Sequence, residues 1–301
     1  MQLNVHADPS SARRTSWEAR VAVITVLTFG TALSAVLLFS LLAHTPRFQQ
    51  STTATTIPGG GPHVAYPIGI VDPHEPSGVA PPGRHGTNEL AGYVRTYASD
   101  FHGTALPPGW AVFTGVPGGD PAGQFGATHV VVRGGLLRLN AWKDPAYGGK
   151  WVTGGLCNCG RPQTYGAFFV RSRVTGPGPN ESQLLWPANN QWPPEIDFNE
   201  TGATDTSTSW TVHWGQLDNI AQQTLPINVT EWHTWGVVWT PTSITFVVDG
   251  KQWGLLNVQG AVPRLPMTLD LQQRTGCAAG FVCPASTQSM LVDWVAQYQR
   301  T

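Results

Sequence analysis

The sequence predicts an all-β fold, a sandwich of two antiparallel sheets, preceded by one N-terminal transmembrane helix. Three observations carry that expectation. Gly and Pro supply 34 and 25 of 301 residues and Trp supplies 13, while charged side chains make only 12%, a balance richer in turns and aromatics than helical proteins carry. Short alternating segments recur beyond about Tyr93, among them THVVVRGGLLRLNAW, YGAFFVRSRVTG, EWHTWGVVWT and ITFVVDGKQW, each bounded by turn residues. One long uncharged apolar run precedes them all.

Residues 1–20 carry Arg13, Arg14 and Arg20 ahead of that run. Val21 to Ala43 is unbroken, and at about 1.5 Å per residue it is long enough for a hydrocarbon layer of about 30 Å. The excess of Arg on its N-terminal side puts residues 1–20 in the cytoplasm and the remainder outside. A cleaved signal has a shorter apolar core and small residues before the cut, whereas Leu41 stands where a small side chain is wanted. An uncleaved signal anchor in the cell membrane is therefore expected, with a secreted form as the alternative. Residues 44–92 are crowded with Pro, Gly and Thr and show no apolar period, so a flexible extracellular spacer is expected there. Residues 93–301 then form one domain, a size all-β sandwiches reach. Within it Asp249-Gly250 is a two-residue hairpin signal.

Lys plus Arg total 17 and Asp plus Glu 18, which gives no electrostatic footprint for nucleic acid and favours a neutral partner. The four cysteines lie as Cys157 and Cys159 in LCNCG and Cys277 and Cys283 in GCAAGFVCP. Neither spacing suits zinc. An even count behind an export signal favours disulfides, and of the three connectivities that four cysteines allow, one containing Cys277–Cys283 is the expectation.

EIDFNE places Glu195, Asp197 and Glu200 within six residues, in a segment whose Ile196 and Phe198 suggest a strand. Residues two apart share a strand face, so Glu195 and Asp197 project together while Glu200 points away unless one extra residue is accommodated. A β-bulge between Asp197 and Glu200 supplies that residue and turns all three acids to one face. Three convergent carboxylates repel one another, a cost with little purpose in a purely structural strand. A calcium loop would carry Gly and spaced Asp or Asn where this segment has Ile and Phe. Retaining glycoside hydrolysis supplies a purpose, because it needs an ionised nucleophile and a protonated acid/base about 5–5.5 Å apart, and Asp197 between them can split their proton affinities. Trp186 in LLWP and Trp192 in QWPPEID are placed to floor sugar subsites, although core packing would account for either alone. His213 in TVHWG is a candidate cleft residue against the alternative of a satisfied strand histidine. Arg171 alternates with Ala167 and Phe169 on one face and is a candidate for a sugar hydroxyl, a surface arginine being the alternative.

Taken with SDFHGTALPPGW (Ser99 to Trp110), HVVVRGGLLRLNA, LLWPANNQWPPEIDFNETG, VHWG and VDWVAQYQ, these segments resemble glycoside hydrolase family 16, the laminarinase and lichenase group, in its actinobacterial EIDxxE form. The resemblance covers the chain after the spacer. It implies a concanavalin A-like jelly roll with substrate across a concave face, and double displacement at internal β-linkages. By position it makes Glu195 the nucleophile, Asp197 its modulator, Glu200 the acid/base, and Trp186, Trp192 and His213 cleft residues. It implies no required cofactor; a structural calcium on the convex side occurs in the family, and its ligands do not map onto residues here. Pro194 stands where the laminarinase branch often has Gly, and its missing backbone donor alters the strand edge beside the motif. Asn199-Glu200-Thr201 spells a glycosylation sequon that is read as coincidental, since a glycan there would block the cleft.

The expected protein is thus a monomeric, membrane-tethered endo-hydrolase of a polysaccharide, a β-1,3-glucan first. Two alternatives stand beside it: a wall or capsule transglycosylase using the same carboxylates, and a non-catalytic lectin-like module.

Overall fold

Segments that alternate over a few residues fold into strands that bury one face each. The computed structural model describes residues 66–83, 90–202, 204–275, 277 and 283–301. The expected cytoplasmic segment, the apolar run 21–43 and residues 44–65 of the expected spacer lie outside them, and among the described residues no helix is long and apolar enough to cross a membrane.

The first strands in chain order are β1 (Ile70–Val71), β2 (Val79–Ala80), β3 (Tyr93–Ser99), β4 (Ala111–Val112), β5 (Val130–Val132) and β6 (Leu137–Asp144). They are followed by β7 (Lys150–Val152), β8 (Gly155–Cys157), β9 (Gly166–Val174), β10 (Asn180–Pro187), β11 (Glu195–Thr201) and β12 (Ser207–Trp214). The last are β13 (Asn219–Pro226), β14 (His233–Trp239), β15 (Ile244–Val248), β16 (Lys251–Leu256), β17 (Met267–Arg274) and β18 (Gln288–Arg300). Seven form one sheet in the order β13-β12-β11-β10-β17-β8-β4. Nine form the other, ordered β16-β15-β14-β9-β18-β6-β5, with β3 on β18 and β7 on β6. Neighbours within the seven-stranded sheet pair antiparallel throughout.

The core fills the space between the sheets, and the alternation decides which side chains enter it. Ile196 and Phe198 of β11, Trp210 and Val212 of β12, and Leu269 and Leu271 of β17 meet Phe168 and Val170 of β9 and Trp235, Val237 and Trp239 of β14. Each such side chain contributes about 1.5–3 kcal/mol by leaving water. Trp210 spans the layers, stacking on Phe246 with ring centroids 4.4 Å apart. Gly254 allows that approach, since a Cβ there would lie 2.1 Å from the Trp210 Nε1. Asp249 and Gly250 both adopt positive φ, 46° and 77°, between paired β15 and β16, the backbone a two-residue type I′ hairpin requires.

The expected spacer extends too far. Its described part, residues 66–83, folds onto the outer face of the nine-stranded sheet: Ile70–Val71 pairs with Val79–Ala80, Thr234 Oγ1 donates to the Ile68 carbonyl at 3.1 Å, and Trp294 Nε1 donates to the Val79 carbonyl at 2.9 Å. Those contacts are made chiefly by backbone, which leaves no period in the side chains. They complete a second apolar layer of Leu90, Ala167, Phe169, Val238, Val247, Trp294, Ala296 and Tyr298.

Candidate active site

Because Ile196 and Phe198 turn inward, the acids of β11 face outward from the seven-stranded sheet. Along β12, Asp197 pairs with Thr211 and Glu200 with Ser209, so two residues of β11 oppose one of β12 and the register shifts between Asp197 and Glu200. β10 records the same shift. That is the one-residue bulge which same-face projection of all three carboxylates demands. The bulge also explains Asn199, the other inward side chain: it is fully buried, its Nδ2 donates to Glu181 Oε1 at 2.7 Å, and its Oδ1 accepts from Thr208 Oγ1 at 2.6 Å. An amide so enclosed has no room for a glycan in the folded chain.

Glu195 stands directly across from His213 of β12. Its Oε2 accepts from Trp192 Nε1 at 2.6 Å, a short charge-assisted bond from a loop side chain that is 43% exposed. His213 Nδ1 bonds Asp218 Oδ1 at 2.8 Å, which fixes the ring with its other nitrogen toward the acids, and the Trp192 ring lies 5.5 Å from it. Glu200 Oε2 accepts from Thr211 Oγ1 at 3.1 Å, and Arg274 Nη2 of β17 reaches its Oε1 at 3.4 Å. Trp186 of β10 follows the inward Leu185 and so shares the outer face, its Nε1 donating to Asn190 Oδ1 at 3.1 Å.

Burial governs the protons here. It pushes the Asp197 carboxyl well above the usual carboxylate range, and the negative charges of Glu195 and Glu200 push it further. Asp197 shares a hydrogen bond with Glu195, and of the two it is the one whose proton affinity is raised further. Glu195 is also raised by burial, but His213, the Trp192 N–H and Arg274 favour its anion, so it is the better candidate for the charge. The site can therefore present one buried carboxylate, braced by a neutral acid and an indole N–H, with a second carboxyl on the same face.

The expected residues do not all meet. Glu195, Asp197, Glu200, Trp186, Trp192 and His213 share this face. Arg171 does not: it lies on β9 in the opposite sheet, where Nε donates to Ser77 Oγ at 2.6 Å and Nη1 to Thr234 Oγ1 at 3.1 Å. Both faces of β9 are covered, one by the core and one by residues 66–83, so alternation with Ala167 and Phe169 could not reveal which way Arg171 points. Sequence reasoning also missed Arg274 and Thr211. Their only signal is position, two residues from cleft-facing neighbours on the alternating strands LDLQQR and STSWTVHW.

Both disulfides are present, Cys157–Cys159 and Cys277–Cys283, the latter as expected. Two groups of acid and imidazole side chains bring ligand atoms within 4.8 Å among the described residues: Glu195, Asp197 and His213, and Glu75, Asp100 and His102. The first is the outward-facing acid cluster of β11 with the histidine across from it on β12. The second is on the side of residues 66–83, and its carboxylates offer the oxygen ligands a hard cation such as calcium takes.

A family model described as Glycosyl hydrolases family 16 matches residues 122–295. The endo-1,3-1,4-beta-glycanase ExsH of Rhizobium meliloti (strain 1021) is 34% identical over 97 residues, 29% of this chain. That match spans only 20% of the relative's length. Among solved structures, the catalytic domain of an endo-1,3-beta-glucanase (laminarinase) from Thermotoga petrophila RKU-1 superposes with a TM-score of 0.60 at 19% identity, covering 69% of this chain and 98% of that one. The laminarinase from Rhodothermus marinus gives 0.62 at 20% identity over 69% and 98%. At such identities the likeness is one of fold: the antiparallel sandwich is the jelly roll of these enzymes.

Proposed function

The chain belongs to the glycosyl hydrolases family 16, and from that premise we propose that it is a retaining endo-hydrolase of a β-glucan, with internal β-1,3 linkages its first target. The observation that carries this reading is the bulge that aligns Glu195, Asp197 and Glu200 beside Trp192 and His213. The names of its relatives, a 1,3-1,4-beta-glycanase and laminarinases, support the choice of linkage.

In the first step Glu195 attacks the anomeric carbon as the glycosidic C–O bond breaks, and Glu200 gives its proton to the departing oxygen. In the second, water attacks the glycosyl ester, Glu200 takes the water's proton, and Glu195 leaves as the anion. Asp197 keeps its proton throughout and donates a hydrogen bond to Glu195, which stabilises the carboxylate both before attack and on departure. Reducing-sugar release from laminarin by the purified chain tests the assignment. Binding without turnover at any pH would replace it by a lectin-like one.

Trp192→Phe isolates the electrostatic part. The indole N–H favours the Glu195 anion, so its loss raises the proton affinity of Glu195 and moves the acid limb of kcat/KM to higher pH. A limb that stays in place would show that Glu195 ionisation does not control activity.

We also place the enzyme outside the cell on its N-terminal anchor. The apolar run 21–43 supports this, as do two disulfides of a kind that persist in oxidising compartments. Protease accessibility on intact cells is the check.

A further inference from the structure

Asp270 is an acid that the mechanism above does not use. On β17 the inward positions are taken by Leu269 and Leu271, so Asp270 shares the outer face with the three acids of β11. Register fixes its place: Asp270 pairs with Leu184 of β10, and Leu184 pairs with Asp197. Two strand spacings, about 9–10 Å, therefore separate it from Asp197 along one row of the sheet. On its other side stands Cys157 of β8. The next row toward the end of the sheet holds Thr268 and Trp186, themselves a pair.

The surroundings of Asp270 are unusual for an acid. It is only 6% exposed, and it forms no ion pair with a described cation. Its Oδ1 accepts from Thr268 Oγ1 at 3.0 Å. Burial pushes the carboxyl well above the usual carboxylate range, and the charge of Glu195 adds to that effect. A neutral carboxyl has one donor and spare acceptor capacity, the complement of a sugar hydroxyl. It also avoids setting a further anion near Glu195, which would oppose ionisation of the nucleophile. Leu184, beside it on the same face, shows that an apolar side chain fits this row. A buried acid costs stability there and needs a compensating role.

We propose that Asp270 is a substrate-positioning residue whose carboxyl hydrogen-bonds a hydroxyl of the sugar unit lying over Trp186 and Thr268, one subsite removed from the reacting centre. The inference rests on the β-glucanase reading and deepens it, by assigning part of the specificity to β17 rather than to the motif strand.

The test measures KM and kcat of the full chain and of its Asp270→Ala and Asp270→Asn forms on β-1,3-gluco-oligosaccharides of increasing length. For substrates that occupy the subsite, alanine is expected to raise KM about tenfold, the worth of one hydrogen bond, with kcat within about twofold. Asparagine, which keeps a donor and an acceptor, is expected to restore most of the loss. The KM ratio between variant and unchanged chain should switch on at a single step in chain length. A merely structural acid would instead lower activity equally at every length, and that result overturns the proposal, as does an unchanged KM on the longest substrates. If Asp270→Ala does not fold, Asp270→Leu, which removes the hydrogen bond and places in this row the side chain that Leu184 already puts there, carries the same length-dependent test. No turnover by the unchanged chain on any length would overturn the β-glucanase reading and this inference with it. Turnover by the unchanged chain without a length-dependent step overturns this inference alone.

Discussion

Glu195→Gln is expected to lower turnover of laminarin by at least about four orders of magnitude, the scale on which removing a nucleophile acts, while the chain keeps its fold. The amide is nearly isosteric, so packing under β11 is preserved and Ile196 and Phe198 stay in the core. What disappears is the negative oxygen that must bond the anomeric carbon. The hydrogen bond from Trp192 Nε1, 2.6 Å in the unchanged chain, can still be accepted by the amide oxygen, so an unfolding explanation is countered by an unchanged circular dichroism spectrum. Activity within tenfold of the unchanged chain would remove Glu195 from the mechanism. A smaller side chain adds a stereochemical check. In Glu195→Ala with an activated aryl β-glycoside, azide enters from the vacated side and yields the inverted α-glycosyl azide.

Glu200→Ala should act differently on the two half-reactions. Loss of a general acid/base costs about 10²- to 10⁴-fold on a poor leaving group. An activated aryl leaving group needs no proton, so its first step is largely spared and the glycosyl-enzyme accumulates. Azide then attacks that intermediate, needs no base, and gives the β-glycosyl azide with net retention. The two variants thus predict opposite anomers from one reagent, read by proton NMR. The same anomer from both would show that Glu195 and Glu200 do not divide the roles as assigned. Thr211, which donates to Glu200, should shift only the second effect, whereas Arg274, which contacts Glu200 and also favours the Glu195 anion, should touch both.

Much of this was legible in the sequence because the signals are local. Asp249-Gly250 states a hairpin by itself, and the structure makes it with both residues at positive φ. EIDFNE states a bulge, since no regular strand turns residues five apart to one face, and the register shift lies between Asp197 and Glu200. Arg171 fails for a complementary reason. Its strand alternates correctly, but a strand covered on both faces has no polar side to identify, and which sheet it joins depends on partners distant in sequence. Residues 66–83 fail because they are bound through backbone groups and a few buried contacts, which leave no periodic trace. Asp270 and Arg274 lie on a strand some seventy residues beyond the motif, and only pairing through β10 brings them to the acids.

Asn199 carries one practical consequence. In the folded chain its amide is bonded to Glu181 and Thr208 and shielded between the sheets. Oligosaccharide transfer in a secretory pathway acts on the nascent chain, before any sheet exists to hide Asn199-Glu200-Thr201. A glycan attached at that moment would have to enter the sandwich interior when β11 closes. The choice of production host therefore decides whether this protein matures at all: a cytoplasm or periplasm without such transferases leaves the sequon silent, whereas a eukaryotic secretory host turns the same three residues into a folding trap.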